Sequence, residues 1–317
     1  MSTSNSSDFN ATRDEIIKTA LRNLGVIRGT QTPNAQLITD GAFALNAVVK
    51  HLQARGLHVW TTSEATLFPQ SGQTKYAIST ASGSDHVTSS FIKTEIATAA
   101  SSGASTITVD SDAGISDGDY IGVVVDDGTV HWTTVNGTPA SDVITLTAAL
   151  DDSSAVDNEV YAYTSKIVRP LKIVDARWVD ADDLIESPII SMIARLDYRR
   201  LPNKSQAGSV TQMFYDPQLT TGQAYLWHVP SVFEGYVNFT WHRPIEDFDA
   251  AGDNPDMPQE WIRTLTWLLS MEMGPQFDVP ADRWQIVTAM AEQSLDDMEG
   301  WDREDTNIDF QPDMGWG

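Results

Sequence analysis

The sequence predicts an α+β protein: a four-helix core made from N- and C-terminal helical hairpins, with a central β-rich region that carries an inserted β module. Apolar residues recur at three- and four-residue steps near both ends of the chain, as in amphipathic helices. Between roughly residues 60 and 250, short runs rich in Thr, Val, Ile, Tyr and Trp are separated by Gly, Asp, Ser and Pro, as in strands and turns. Residues 94–165 contain twelve acidic residues and no Lys or Arg, which sets them apart as a module.

The first hairpin is predicted from two periodic segments. Thr12 and Glu15 have the T-x-x-E spacing of a capping box, and a helix over 12–24 should end before Gly25. The next helix should begin at Thr32-Pro33 and end at Gly56. The apolar stripe of the first helix consists of Ile16, Ile17, Ala20, Leu21 and Leu24. The stripe of the second helix consists of Ile38, Ala42, Leu45, Val49 and Leu52.

The second hairpin is predicted from the same kind of pattern near the other end. Asp256 and Gln259 are placed to cap a third helix that ends at Gly274-Pro275, and a fourth helix should end at Gly300. One hairpin alone leaves its apolar stripe uncovered, so both hairpins are expected to share one core. The apolar residues of these helices are Trp261, Leu265, Leu268, Leu269, Trp284, Val287, Ala291, Leu295 and Met298.

The predicted domain organisation follows from these segments. The helical core should comprise residues 1–60 and 256–300, and the β-rich domain residues 61–93 and 166–255. The acidic β module should comprise residues 94–165 and a C-terminal tail residues 301–317. One short helix is expected to interrupt the β-rich domain, beginning at Ser187-Pro188 and running toward Arg200.

The stretch "IGVVVDDGTVHWTTV", residues 121–135, allows two interpretations. Asp126, Asp127 and His131 are possible metal ligands, but neither further ligands nor a known loop spacing accompany them. Asp127-Gly128 between alternating apolar residues is instead a strong hairpin signal, because glycine accepts the positive φ of such a turn. The sequence therefore predicts a β-hairpin here.

Three further motifs resemble sites but lack the required context. Residues 114–118 match G-x-S-x-G, but a strand follows where a nucleophile elbow needs a helix. Asp110 and Asp112 begin like a calcium loop, yet Ile115 and Ile121 stand where glycine and the closing glutamate belong. The six histidines form no H-E-x-x-H pair. We therefore expect no catalytic residue, metal or cofactor, and hence no enzyme.

Charge and composition exclude several classes of partner. The 20 basic and 44 acidic residues give a net charge of −24, so free nucleic acid and anionic membranes should be repelled. The absence of cysteine excludes disulfides and thiolate metal sites. No membrane span or secretion signal is visible, and we expect a soluble protein assembled in the cytoplasm.

Two groups of residues are candidates for protein contacts, and one group is a candidate acidic surface. Arg195, Arg199, Arg200 and Lys204 gather positive charge that would suit an acidic neighbour, although a solvated helix face is the alternative. Trp301, Phe310 and Trp316 lie among acids in the tail, which would either dock on a partner or remain a disordered acidic segment. The module contributes Asp126, Asp127, Asp151 and Asp152 as a possible acidic channel lining or outer surface.

Several segments together resemble a known family. These are "ALRNLGV" and "LNAVVKHLQARGLHVWT" in the first hairpin, "DYRRLPNKSQAGSVTQMFYDPQLTTGQAYLWHVPS" in the centre, and "FTWHRPIEDFDAAGDNPDMPQEWIRTLTWLLSMEMGPQFDVP" toward the end. They are similar to the head-to-tail adaptor, or head-completion, proteins of short-tailed phages, which are related to tail tubular and tail accessory proteins. His228 in "LWHVP" departs from the proline expected at that position.

The resemblance implies a structural virion protein of the phage neck or tail. It implies a ring, commonly of twelve copies, that joins the portal protein to tail nozzle or tail fibre proteins and continues the DNA channel. An acidic wall gives DNA phosphates no cations to hold, so DNA would pass without specific binding. The alternatives are a host-surface carbohydrate-binding tail module and a virion-associated cell-wall hydrolase.

Overall fold

The computed structural model describes residues 8–56 and 59–301, which divide into two compact units. One unit combines the chain up to Thr61 with the chain from Ile245 onward, and the other consists of Thr62–Pro244. The described residues form five α-helices: α1 Arg13–Leu24, α2 Ala35–Arg55, α3 Arg195–Arg200, α4 Trp261–Met273 and α5 Ala281–Trp301. No helix among these residues is long and apolar enough to cross a membrane.

The second unit is built from β-strands. The first seven are β1 Thr62–Leu67, β2 Lys75–Ile78, β3 Val87–Thr88, β4 Ile92–Thr98, β5 Thr106–Val109, β6 Tyr120–Val124 and β7 Val130–Thr134. The next seven are β8 Val143–Thr145, β9 Glu159–Tyr163, β10 Lys172–Asp180, β11 Glu186–Met192, β12 Gln212–Asp216, β13 Gly222–Trp227 and β14 Gly235–His242. They form an eight-stranded sheet, in the order β2-β13-β12-β11-β10-β14-β1-β3, and a six-stranded sheet, in the order β7-β6-β9-β4-β5-β8.

The predicted fold class, with a four-helix core as its organising element, is wrong. The protein is β-rich, and its two large sheets of eight and six strands, not a four-helix bundle, are its main architecture. The contribution of the helices to the architecture was overestimated, because a 3.6-residue period can be recognised within a single segment. A sheet takes its size from pairing between distant segments, such as β1 with β14, which no single stretch reveals.

The helices of the first unit begin and end at recognisable signals. The backbone N–H of Thr12 donates to Oε2 of Glu15 at 2.9 Å, which confirms the predicted start of α1. This bond lowers the pKa of Glu15. Gly25 ends α1 with φ of +78°. α2 begins later than predicted, because the side chain of Asn34 caps it by accepting from the N–H of Leu37 at 2.8 Å.

One apolar cluster fills the interior of this first unit. α4 packs against α1, α2 and α5, and Ile245 and Phe248 from the irregular segment before α4 join the same cluster. The largest fully buried side chain of the unit is Trp261, on α4. The loop at 245–248 is fixed by α2, since Asn46 exchanges hydrogen bonds with the backbone of Phe248 at 2.9 and 3.1 Å.

The segment that follows Ser187-Pro188 is a strand, and the prediction of a helix beginning there is wrong. Residues 186–192 form β11, and the short helix α3 begins only at Arg195. Ile189 is 81% exposed and Ile190 is 1% exposed, which is the alternation of a strand with one face in the core. Two consecutive β-branched residues favour that conformation over a helix.

The predicted hairpin at Asp127-Gly128 is confirmed. β6 and β7 pair antiparallel, with Val124 opposite Val130, and Gly128 has φ of +81°. The carbonyl of Gly128 accepts from the N–H of Phe233 at 2.7 Å, so the turn is anchored to the loop before β14. A Cβ at Gly128 would lie 2.6 Å from Cγ1 of Val232. Glycine is therefore required here both for its conformation and for its small size.

Aromatic rings join the two sheets within the second unit. Phe68, which directly follows β1, is 1% exposed. Its ring centroid lies 5.0 Å from that of Tyr161 on β9 and 5.3 Å from those of Phe91 and Trp132. Tyr236 of β14 completes the contacts at 5.8 Å. This group, the aromatic junction, lies where the chain leaves the eight-stranded sheet for the six-stranded one.

The buried position of Leu265 in α4 leads to a first prediction. Leu265→Ala should lower the free energy of unfolding by about 2 to 5 kcal/mol, because the side chain is fully buried. Ile286→Ala on α5 is a matched control, since Ile286 is 58% exposed and its truncation should change stability by less than about 0.5 kcal/mol. Urea denaturation measures both, and equal losses would contradict the packing described.

The two requirements at Gly128 can be separated by a second glycine. Gly118 has a similar φ of +85° but open space where a Cβ would lie, so Gly118→Ala should cost only backbone strain, about 1 kcal/mol. Gly128→Ala adds the clash with Val232 and should cost more. Thermal denaturation compares the two variants. A smaller loss of stability in Gly128→Ala than in Gly118→Ala would show that the contact between Gly128 and Val232 does not contribute to stability.

Candidate interaction surfaces

Four carboxylates of the six-stranded module lie together at one end of it. Asp126 and Asp127 are at the tip of the β6–β7 hairpin, and Asp151 and Asp152 precede Ser153 in a neighbouring turn. Ser153 connects this turn to the hairpin tip, since its hydroxyl donates to Oδ2 of Asp126 at 2.7 Å and its carbonyl accepts from the N–H of Asp126 at 2.8 Å. We call these four residues the acidic end. The sequence indicated their charge but not their adjacency.

The carboxylates of the acidic end shape its turns. Asp126 accepts from the N–H of Ala155 at 2.9 Å and from Nδ2 of Asn158 at 3.1 Å. The hydroxyl of Ser153 and these donors keep the pKa of Asp126 below its usual value. Asp127 accepts from the N–H and the hydroxyl of Thr129 at 2.8 and 2.7 Å. The lowered pKa favours the ionised form of Asp126, and the side chains of Asp126 and Asp127 both hold the loops in place.

His131 pairs with Asp151, which the sequence did not indicate. Its Nδ1 lies 2.9 Å from Oδ1 of Asp151, whereas Asp126 and Asp127 bond to other groups. Nε2 of His131 is buried, and no hydrogen-bond partner for it lies within residues 8–56 and 59–301. A nucleophilic triad would place a hydroxyl at that nitrogen. The His131–Asp151 pair thus has the geometry of a structural contact.

The cationic residues around α3 surround a group of aromatic rings. Phe214 stacks with Tyr198 and with Tyr225 at centroid distances of 5.9 and 5.5 Å, and the rings of Tyr198 and Tyr225 are tilted against each other at 5.1 Å. The guanidinium of Arg195 lies 5.3 Å from the centroid of Phe214, and Nζ of Lys204 lies 5.4 Å from that of Tyr198. Such contacts combine packing with cation–π attraction. The structure thus brings two of the four predicted cations against one aromatic platform.

The same cations differ in how far their charge is already neutralised. Arg195 forms an ion pair with Asp216, and Arg200 lies 3.8 Å from Asp197. Nζ of Lys204 donates to the carbonyl of Leu201 at 3.2 Å. Arg199 is exposed. Arg199 and Arg200 are therefore the members of this group most accessible to an acidic neighbour.

Only one of the three predicted contact residues of the tail is among the described residues. Trp301 is the last residue of α5. Phe310 and Trp316 lie outside the described residues.

A cleft at the aromatic junction was not foreseen from the sequence. It has a volume of about 450 Å³ and is lined by His86, Tyr120, Trp132 and Lys166, among others. The rings of His86 and Trp132 stack at 3.9 Å, with 9° between their planes. The opposite face of Trp132 covers Gly122, its partner across β6 and β7, where a Cβ would lie 2.7 Å from the indole. Both faces of this tryptophan are therefore occupied.

His86 is neutral within this cleft. Its Nδ1 lies 2.7 Å from the hydroxyl of Tyr163. Burial, assisted by the nearby ammonium of Lys166, lowers the pKa of His86 from its ordinary value to about 3. The imidazole therefore stays uncharged over the physiological pH range.

The motifs that resembled sites have structural roles. In residues 114–118, the N–H of Ser116 donates to Oδ2 of Asp119 at 2.8 Å and β6 follows, so Ser116 lies in a turn. Asp112 and Asp142 exchange bonds between side chain and backbone at 3.1 and 3.2 Å, which closes a loop between strands. Across residues 8–56 and 59–301, no group of three His, Asp or Glu side chains is placed to hold a metal ion.

Comparison with known proteins adds no family. No protein-family model matches the chain, and no curated protein matches it. The interaction surfaces themselves are therefore the basis on which a function can be assigned.

The pKa of His86 predicts a pH dependence of stability. Below about pH 6.5 the unfolded chain binds a proton at this histidine, whereas the folded protein does not until about pH 3. The unfolded state then holds more protons, so stability falls as the pH falls through this window. His86→Phe keeps an aromatic ring beside Trp132 but cannot titrate. Its melting temperature should therefore depend less on pH between 4 and 7, roughly the titration window.

Tyr163→Phe provides the control for this experiment. It removes the hydroxyl that contacts Nδ1 of His86 at 2.7 Å but leaves the imidazole. The melting temperature should fall while its pH dependence persists. If His86→Phe shows the same pH dependence as the unmodified protein, burial of a neutral His86 is not what shapes the curve.

Proposed function

We propose that this protein is a structural subunit of a phage head-to-tail adaptor, a ring that joins the portal to the tail and continues the DNA channel. The observation that carries the proposal is the six-stranded module with twelve acids and no Lys or Arg between residues 94 and 165. Part of this charge is concentrated at the acidic end, where Asp126 and Asp127 already accept hydrogen bonds within the module.

Charge of this kind suits a surface past which DNA moves. Proteins hold DNA mainly through Lys and Arg on phosphates, with release of condensed counterions. Residues 94–165 have no Lys or Arg to make such a contact. Nζ of Lys93, on β4 of the same sheet, lies 4.0 Å from Oε1 of Glu159 and so already has a carboxylate within the module. DNA would thus be repelled at short range and would slide past without being held.

Contacts between subunits, or with the portal or tail proteins, are assigned to the positive group on and after α3. Arg199 and Arg200 extend from a helix that rests on the aromatic platform of Tyr198, Phe214 and Tyr225. A rigid platform lowers the entropy lost when a charged contact forms. The many exposed acids of the protein make a second copy an obvious source of the opposite charge, and electrostatic complementarity would then set the orientation of neighbours.

The carbohydrate-binding alternative has less support. Sugar-binding modules use exposed aromatic faces, yet every Trp and Tyr from residue 60 to residue 284 is buried or partly buried. Trp132, which lines the cleft at the aromatic junction, is covered on both faces by His86 and Gly122.

The hydrolase alternative also has less support. Glu159 is half-buried, and its pKa is raised mainly by desolvation, with a smaller contribution from the nearby Asp182. Glycosidases keep their two carboxyl groups roughly 5 Å or more apart. The contact that Glu159 makes is instead with a cation, since its Oε1 lies 4.0 Å from Nζ of Lys93.

Electron microscopy of the purified protein tests the assembly part of this proposal. At an ionic strength high enough to screen the charge of −24 per chain, the protein, alone or with its portal, should form closed rings with a central channel. Arg199→Glu with Arg200→Glu should weaken the ring, whereas Lys18→Glu on α1 should not. A protein that stays monomeric in every condition would contradict the proposal.

Charge reversal at the acidic end tests the role of the module. Replacement of Asp126, Asp127, Asp151 and Asp152 by Lys should slow DNA ejection from virions and give the purified protein measurable, salt-sensitive DNA binding. The same four positions changed to Asn are the control. They keep acceptors for the turns but hold no phosphate, so ejection should stay near normal. Unchanged ejection in the Lys variant would show that this charge only solvates the surface.

A further inference from the structure

Three arginines of the helical unit line one open cleft. Arg22 is in the last turn of α1, Arg28 follows in the next loop, and Arg283 is in the first turn of α5. Together with Gly25, Ile27 and Gly29 they enclose about 520 Å³. All three side chains are exposed. This group, the arginine cleft, concentrates three positive charges in a chain of net charge −24.

Gly25 explains how these charges come together. It has φ of +78°, ends α1, and turns the chain toward Arg28. The guanidinium of Arg283 lies directly over Gly25, in the space that any larger residue would need for its Cβ. The glycine thus lets α5 place Arg283 beside the end of α1.

The arginines of the cleft have no acidic partner within the described part of the chain. Other cations of the same unit do, with Lys50 at 2.7 Å from Asp247 and Arg55 at 2.8 Å from Glu299. No ion pair or side-chain hydrogen bond joins Arg22, Arg28 or Arg283 to any residue in 8–56 or 59–301. With 44 acids against 20 bases in the sequence, three neighbouring arginines without a carboxylate are unusual.

We infer that the arginine cleft binds the acidic C-terminal segment, residues 302–317, of the same chain. This segment has five acids, Asp302, Glu304, Asp305, Asp309 and Asp313, and one base, Arg303, so its net charge is 1 − 5 = −4. Guanidinium groups bind carboxylates through paired, charge-assisted hydrogen bonds, which favours an acidic peptide as the occupant.

The segment is long enough to reach the cleft within one chain. Arg283 and Trp301 are both on α5, 18 residues apart, or about 27 Å along a helix. Asp313 is 12 residues beyond Trp301 and can extend about 40 Å. The tether also gives the segment a high effective concentration at the cleft, which a free peptide lacks. The inference concerns this unit alone and does not rest on the proposed function.

Engineered cysteines test the contact, because the chain has none of its own. Thr30 is exposed beside the cleft, and Met314 lies next to Asp313, so Thr30→Cys with Met314→Cys leaves all charges in place. In the full chain under mild oxidation, this pair should form an intramolecular disulfide about tenfold faster than Thr39→Cys with Met314→Cys, whose first site is exposed on α2. Non-reducing electrophoresis and peptide mapping distinguish disulfides within a chain from those between chains.

Charge reversal then tests whether the arginines cause the faster disulfide formation. Changing Arg22, Arg28 and Arg283 to Glu should remove the rate advantage, and high salt should reduce it, whereas Arg263→Glu at an exposed position on α4 should leave it intact. Unfolding curves verify that each variant is folded. The inference is overturned if the two cysteine pairs react equally fast, if the triple reversal has no effect, or if disulfides form only between chains.

Discussion

The organisation of the β unit depends on the packing of Phe68 among other aromatic rings. This residue directly follows β1. Its ring contacts those of Tyr161, Phe91 and Trp132 on the side of the six-stranded module, and that of Tyr236 in the larger sheet. Edge-to-face and tilted rings gain from the opposite charges of ring faces and edges as well as from burial. Because β4 and β9, through which the chain enters and leaves the module, pair with each other, this single junction can fix the module's orientation.

Local signals in the sequence were reliable where one short segment decides the outcome. Thr12 with Glu15 marked the start of α1, and Asp127-Gly128 marked a hairpin, because caps and tight turns depend on residues three or fewer positions apart. The strand at 186–192 was missed because proline after serine suggested a helix start, whereas pairing with β10 decided the conformation. The extent of the sheets was not predicted for the same reason, because the strands that pair with one another are distant in sequence.

For the candidate sites too, the sequence indicated individual residues but not which distant residues lie together. The charges of Asp126 and Asp151 could be read from the sequence, but their adjacency through Ser153 is a product of the fold. The pairing of His131 with Asp151 spans 20 positions and had no local signature. The arginine cleft joins residues more than 250 positions apart. No periodic pattern in the sequence predicts that these arginines lie together, whereas the shortage of cations elsewhere makes the group distinctive in the structure.

The two sheets end in strands that leave little backbone for a neighbouring chain. The edges of the larger sheet are β2, of four residues, and β3, of two. One edge of the smaller sheet is β8, of three residues, preceded by Ser141 and Asp142 with positive φ. Long flat edges invite strand addition and fibre growth. With such abbreviated edges, copies crowded together are steered away from amyloid-like stacking, and any contact between them is left to side chains.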